Sequence, residues 1–385
     1  MNCSRWLLLC LLSSLSATAS AQTVLVVDGL NRPGTNFTDL PLAEAAARDG
    51  DVISIRSDGG NYTAIQTQKA LTIVADIGQA IISAGQTFSV SGIPAGKQFT
   101  MRGCLIGPRN TTGPVLQIAN CAGRVVLTQI EVVLGVPSLE ATACAGILLQ
   151  ESRILGGFPS VSARSCVLEF EQDQVAGGAA DSRFQFLSAP AVDLQQCAAT
   201  FAMCQLTGGL GDPTLPPAPA MTLANSTAEV GAAGAFGSLR AGAPGRGTGI
   251  APAVAGASST LRIDPLVLLV PTGSAPPTQG ITVVVDRFPS LGASMFASHT
   301  LQLNFGGSPA ATNILLVGLP AGPRSVPGVA GDLWIDPNAF AAQLGVPPTV
   351  TVLGLPHGFT IVAQVAGIAT TGAVSLSNPA VLVAR

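Results

Sequence analysis

The most constraining feature of this chain is a recurring glycine. Between Phe99 and Gly209 an apolar run ends in glycine five times, at Gly107, Gly135, Gly156, Gly177 and Gly208. Successive members are 28, 21, 21 and 31 residues apart. A period slightly above 20 residues predicts a solenoid with one supersecondary unit per repeat. Aligned on the glycines, Val126, Ile147, Leu168 and Ala199 share a column. Thr128, Leu149, Phe170 and Phe201 share a second, and Val133, Ile154, Val175 and Leu206 a third. Mostly apolar columns two residues apart, flanked by more polar ones, are strand alternation. The expected coil is a stack of parallel strands whose equivalent side chains lie about 4.8 Å apart. The longer steps predict turns that carry inserted loops.

The cysteines follow the same register. Cys121, Cys144, Cys166 and Cys197 lie 14, 12, 11 and 11 residues before their glycines. Cys104 and Cys204 lie 3 and 4 before theirs. Two readings stay open. The six are stacked reduced thiols, since free cysteine is among the most buried residue types. Alternatively, neighbours on successive turns form disulfides, because adjacent strands fall within the Cα range of about 4.4–6.8 Å. No metal is expected, because the stretch has neither histidine nor a C-x-x-C pair.

The candidate chemistry lies on the polar columns. Six and four residues before the glycines stand Gln129 and Glu131, Gln150 and Ser152, and Glu171 and Asp173. Stacking would put these six on one outward face over three turns, with Glu169 of the same parity. Converging carboxylates offer oxygen ligands to calcium. A suitably separated pair would serve as acid and base on a glycosidic bond. The competing reading is a solvated strand face. No catalytic residue is assigned. Phe170, Phe201 and Leu149 share a column and read as an inward stack. Arg153, Arg164 and Arg183 are scattered singly, which suits surface charge better than a glycan site. His299 and His357 are the only histidines, and no G-x-S-x-G elbow accompanies them. Trp334, between Asp332 and Asp336, reads as a packing residue.

Met1–Ala21 has the form of a secretory signal. Arg5 supplies the charge, Trp6 to Leu12 the apolar core, and Ala19-Ser20-Ala21 the cleavage pattern. Its loss would leave six of the eight cysteines. The expected location is secreted or cell-surface, with the periplasm as a variant. Charged residues make up 10% of the chain, and Lys69 and Lys97 are the only lysines. No basic face exists for a nucleic acid. No second long apolar run exists to integrate into a membrane.

Strands are expected at Val24–Val27, Val52–Ile55 and 71–74. Thr38 or Asp39 caps a helix that has Pro41 in its first turn and Asp49-Gly50 at its end. The run "LAEAAARDGDVISIRSDGGNYTAIQTQKALTIVAD" resembles the start of secreted right-handed parallel β-helix proteins, the pectate-lyase-like group. In that group a short helix closes the open end of the coil. The resemblance covers about residues 24–210 and implies a polysaccharide-facing fold outside the cell. Its enzymes use clustered Asp, often calcium, and an Arg, Lys or His base. None of these motifs matches residue by residue.

The expected organisation is a signal at 1–21 and a β-helix at 22–230. A Gly/Ala/Pro-rich linker at 231–260 then leads to a small antiparallel β-sandwich-like domain at 261–385. A short helix through 340–344 is expected inside that domain. The expected fold is therefore all-β: a right-handed parallel β-helix with a short capping helix, followed by the small β-domain. The expected function is a non-catalytic structural or carbohydrate-binding role, with a polysaccharide or cell-surface glycan as partner. No cofactor is expected, calcium apart. The alternative is a polysaccharide lyase or glycoside hydrolase acting on an acidic glycan.

Overall fold

The computed structural model describes residues 23–383, apart from 77, 84, 108–112, 181–186, 213, 233–236, 245–248, 287–289, 296–299, 307–311, 328, 331, 347–348, 352–359 and 378. The expected signal at 1–21 lies outside the described residues. Alternation sets the strands, and parallel pairing stacks them. Sheet A has 11 strands, and sheets B and C have 9 each. The chain visits A, B and C in turn. A representative rung is Arg124–Thr128 in A, Glu131–Val133 in B and Leu139–Thr142 in C. The next is Gly146–Gln150, Arg153–Gly157 and Val161–Arg164. Every A, B and C pairing is parallel, so the described coil is a parallel β-helix.

The interior is a set of apolar ladders. Val125, Ile147, Leu168 and Ala199 pair in register, as do Leu127, Leu149, Phe170 and Phe201. All eight are buried. Phe170 and Phe201 stack with ring centroids 4.6 Å apart and planes 12° apart. Helix α1 (Leu40–Ala46) closes the N-terminal end, burying Leu40 and Ala43. Its cap is Asp39, whose side chain accepts the Leu40 N–H.

The first rung departs from the glycine alignment by one residue. Leu155 pairs with Ala176 and Gly157 with Gly177, so Gly156 is an extra residue in its strand. Gly156 has φ +76° and its counterpart one rung back, Leu134, has φ +54°. Counting from Gly135 therefore misplaces the preceding strand by one. Val125 and Leu127 point inward, not Val126 and Thr128. A slip of one residue exchanges the two faces of a strand.

The glycine signal has a steric cause at the corner leaving sheet B. A Cβ at Gly135, Gly157, Gly177 or Gly208 would meet a backbone carbonyl oxygen at 2.4, 2.5, 2.0 and 2.1 Å respectively. Among the described residues, the nearest atom to a Cβ at Gly107 is 3.6 Å away.

The coil also outruns its expected boundary. Residues 231–260 are not a linker: Ser238–Arg240 and Val254–Ala257 are strands of sheets B and C. Leu268–Val270 and Thr282–Val285 continue sheets B and A, so the antiparallel part starts later than residue 261. Small residues hid these rungs. Ala232 and Ala253 fill inward positions as fully as Leu239 does, yet alanine and glycine carry little strand signal.

Beyond the coil lie two smaller sheets. One joins Ser290–Met295, Thr300–Gly306 and Thr349–Thr351 in antiparallel order. The other is built on Thr312–Ser325, Asp332–Leu344 and Thr360–Ile368. Leu291 of the first packs with Leu315, Ile361 and Val365 of the second. The expected helix at 340–344 is instead the end of the strand Asp332–Leu344, paired with Thr312–Ser325. Tertiary pairing overrides its local helix propensity.

The corner geometry gives an expectation. Gly177→Ala should destabilise by about 1–3 kcal/mol through overpacking. The urea midpoints of this variant and the wild type check this; equal midpoints would contradict it.

Candidate functional site

Five successive A strands, from Gln98–Arg102 to Ala198–Ala202, leave for sheet B through one residue in left-handed conformation. These are Gly103 (φ +69°), Gln129 (+52°), Glu151 (+49°), Gln172 (+56°) and Met203 (+57°). The residue after each turns inward. The corner therefore stacks Cys104, Ile130, Ser152, Asp173 and Cys204, all buried.

The six polar candidates do not form one face. Ser152 and Asp173 lie in that inward column. Gln150 and Glu171 end their A strands and are also buried. Gln129 is a corner residue. Glu131 belongs to sheet B, opposite Arg153, with Oε2 3.7 Å from a guanidinium nitrogen. The residue stacked on Ser152 is Ile130, because of the one-residue slip described above.

The buried members serve backbone groups. Asp173 Oδ1 accepts the Ser152 N–H at 2.7 Å, and Oδ2 accepts the Glu171 N–H at 3.0 Å. Ser152 Oγ donates to the Gln150 carbonyl at 2.9 Å and accepts the Ile130 N–H at 3.3 Å. Burial pushes the Asp173 carboxyl well above the ordinary carboxylate range, against those two hydrogen bonds. Outside this column, Arg102 Nε donates to Gln129 Oε1 at 3.3 Å, and Gln129 Nε2 donates to Glu151 Oε2 at 2.6 Å. These groups tie rung to rung. A glycosidic bond has no access to Glu171 or Asp173, which are 0% and 1% exposed.

The outward centre of sheet A is covered. Trp334, Ile335 and Val362 from the larger antiparallel sheet pack on Val74, Val126 and Leu148. Arg124 lies 4.3 Å from the Trp334 ring centroid, an attractive cation–π placement. Its Nη1 donates to the Trp334 carbonyl at 3.5 Å. Burial pulls the Arg124 pKa down, and attraction to Glu169 partly restores it. The guanidinium keeps its charge at neutral pH. Trp334 is thus a packing residue at 0% exposure.

A charged cluster at the N-terminal end was not singled out in the sequence. Asp28 is buried and binds Arg32 Nε at 2.7 Å and Arg56 Nη1 at 3.0 Å. Arg32 also forks onto both oxygens of Asp58 at 2.6 Å. The Arg32 hydrogen bond, with those from Leu30 N–H and Arg56, holds Asp28 far below its ordinary pKa against the effect of desolvation. Arg32, Arg56, Ser57, Asp58 and Asp76 line a recess of about 510 Å³. Arg32 binds two carboxylates, and Arg56 joins Asp28 to the Pro33 carbonyl. The cluster braces the first strand, the loop after it and the turn before Tyr62. No sequence pattern links residues 28, 32, 56 and 58, because the fold alone brings them together.

Sheet C presents a polar outer face. Ser89, Gln117, Glu140, Ser162, Asp193 and Thr222 stand in register on six consecutive rungs. None is fully buried. Gln117 Nε2 donates to Glu140 at 2.9 Å, and Thr222 Oγ1 donates to Asp193 at 2.5 Å. Beside this column, Arg164 donates to Gln195 Oε1 at 2.9 Å.

All six described cysteines are free and buried. Arg183, His299 and His357 lie outside the described residues. Among the described residues no group of three or more His, Cys, Asp or Glu is placed to hold a metal ion. No described helix is long and apolar enough to cross a membrane. No protein-family model matches the chain, and no curated protein matches it.

Two expectations follow from these contacts. Asp173 titrates above its unfolded value of about 3.9. The folded state then holds a proton that the unfolded state has released, so the stability from this group falls as pH rises from about 4. Asp173→Asn should remove that decline. Urea unfolding of both proteins across pH 4–8 tests it, and parallel profiles would refute it. Trp334→Ala should cost about 3–5 kcal/mol, by analogy with other buried aromatic truncations. A smaller loss than about 1 kcal/mol in chemical denaturation would show that the seal on sheet A contributes little.

Proposed function

We propose that this is an exported, non-catalytic, right-handed β-helix protein of the pectate-lyase-like group, with a structural role at the cell surface or outside the cell. The observation that carries the reading is the burial of four of the six polar candidates. Gln150, Ser152, Glu171 and Asp173 are at most 3% exposed. In the inward column, Ser152 and Asp173 bind backbone groups. The centre of sheet A lies under the antiparallel sheet. Export rests on the signal-like Met1–Ala21.

The outer face of sheet C favours a second reading, contact with an extended polysaccharide. Its six-residue column spans about 24 Å at the usual strand spacing. Hydroxyl, amide and carboxylate groups repeat along it. A linear glycan presents hydroxyls at comparable intervals.

Cosedimentation of the full protein with cellulose, chitin, peptidoglycan and calcium-set alginate tests this contact. Binding that falls at least tenfold in a Gln117→Ala, Glu140→Ala, Asp193→Ala triple variant is the expected result for the glycan reading. Absence of binding to all four leaves the structural role alone. Incubation with polygalacturonate or alginate, with and without calcium, should release no unsaturated or shortened product. Product release would overturn the non-catalytic reading. Finding the protein with its N-terminal segment intact in the cytoplasm would overturn export.

A further inference from the structure

The corner from sheet C into sheet A carries a second inward ladder. Six successive C strands, from Leu116–Ala119 to Val254–Ala257, end alike: one residue in left-handed conformation follows, and the next side chain turns in. The left-handed residues include Asn120, Ala143, Ser165, Gln196, Asn225 and Ser258, with φ between +50° and +56°. The inward residues are Cys121, Cys144, Cys166, Cys197, Ser226 and Ser259. Each thiol or hydroxyl donates to the carbonyl two residues earlier. For Cys166 and Cys197 these contacts are 3.2 and 3.3 Å; for Ser226 and Ser259 they are 2.8 Å. Each also offers itself to the rung before. The Cys166 N–H donates to Cys197 Sγ at 3.4 Å, the Cys197 N–H to Ser226 Oγ at 3.0 Å, and the Ser226 N–H to Ser259 Oγ at 3.0 Å.

One pair of neighbouring thiols differs from the others. Arg164 pairs with Gln195 and Val167 with Ala198. Cys166 and Cys197 therefore sit on backbone paths of equal length, locked in register on both sides. The other neighbours do not. From Ala119 to Arg124 is one residue longer than from Thr142 to Gly146, the register partners around Cys121 and Cys144. From Thr142 to Ile147 is one longer than from Arg164 to Leu168, the partners around Cys144 and Cys166. Cys166 and Cys197 are 3% and 4% exposed and Cys144 is 3%, so the equal backbone paths, not exposure, set this pair apart.

We propose that Cys166 and Cys197 form a reversible disulfide, with Cys197 as the attacking thiol and Cys166 as the resolving one. Hydrogen bonding from Cys166 favours the Cys197 thiolate, its pKa pulled below the ordinary thiol value, and the thiolate is the nucleophile in exchange. The co-reactant is a small disulfide such as oxidised glutathione. Cys197 S⁻ attacks one sulfur of it, forming a mixed disulfide and releasing one thiolate. That thiolate takes up the Cys166 proton. Cys166 S⁻ then attacks Cys197 Sγ, closing the rung-to-rung bond and expelling the second thiolate, which is protonated from water. Two protein thiols are oxidised, and one disulfide is reduced to two thiols. The adjacent-strand spacing lies within the Cα range a disulfide tolerates. The other four described thiols stay reduced.

The test incubates the native full chain with oxidised glutathione, blocks free thiols by alkylation and maps the peptides by mass. A single link joining residues 165–183 to 184–240, with the loss of two hydrogens and reversal by reductant, is expected. Cys197→Ser should abolish it, while Cys121→Ser and Cys204→Ser should keep it. Serine already occupies this ladder at 226 and 259, so Cys197→Ser should retain the wild-type far-ultraviolet spectrum. If that variant fails to fold, the wild-type map with Cys204→Ser still decides. Alkylation of both Cys166 and Cys197 after native treatment would overturn the proposal. So would a link that persists in Cys197→Ser, or one joining Cys121 to Cys144 instead.

Discussion

In-register stacking is the constraint from which the rest of the molecule follows. A side chain that points into a parallel coil meets the same position on the rung above and the rung below. It must suit both neighbours as well as its own strand. Phe170 answers Phe201 as stacked rings, and Leu149 answers Leu127 as branched aliphatics. The corners obey the same rule in polar form. Once a residue turns inward beside a left-handed neighbour, its backbone carbonyl and N–H need partners from within the column. Short side chains that both donate and accept satisfy them. This accounts for thiols followed by hydroxyls at one corner, and for Ser152 and Asp173 at the other.

The same rule decides what was legible in the sequence. The repeat, the strand alternation and the inward fate of Leu149, Phe170 and Phe201 could be read directly, because like residues recur where rungs coincide. The helix before Asp49 was legible from its cap and its proline. Legibility failed wherever spacing and register part company. Gly156 is a bulge and Gly135 a corner, yet both follow an apolar run. Treating them as equivalent moved Glu131 into a column that belongs to Ile130. Rungs built from Ala and Gly after residue 231 resembled a linker, since they bury little side chain per residue. The strand at 332–344 contains helix-favouring Ala, Gln and Leu; its pairing partner lies in a separate segment, 312–325.

The acidic candidates show why parity alone does not make a site. Alternation tells which residues share a side of a strand; it does not tell what stands on that side. Glu169 and Leu148 do project outward from sheet A. What covers them is a sheet made from the end of the chain, which no local pattern near residue 150 announces. The N-terminal Asp28 brace was equally hidden, because its members come from two loops that only the first turn of the coil unites. Charge here is used to hold segments together, at both ends of the sequence.

The contact between Arg124 and Trp334 spans 210 residues of chain. A coil of this kind can be assembled progressively, each new rung docking on the one just completed, with short-range closure at every step. The sheet that roofs it obeys a different schedule. Until residue 334 has been synthesised and paired, the guanidinium of Arg124 remains in water and the apolar patch at Val126 and Leu148 stays bare. Maturation therefore ends on a long-range act added to a series of shorter-range ones. Termination after the coil but before Trp334 would leave a finished spool with an adhesive flank.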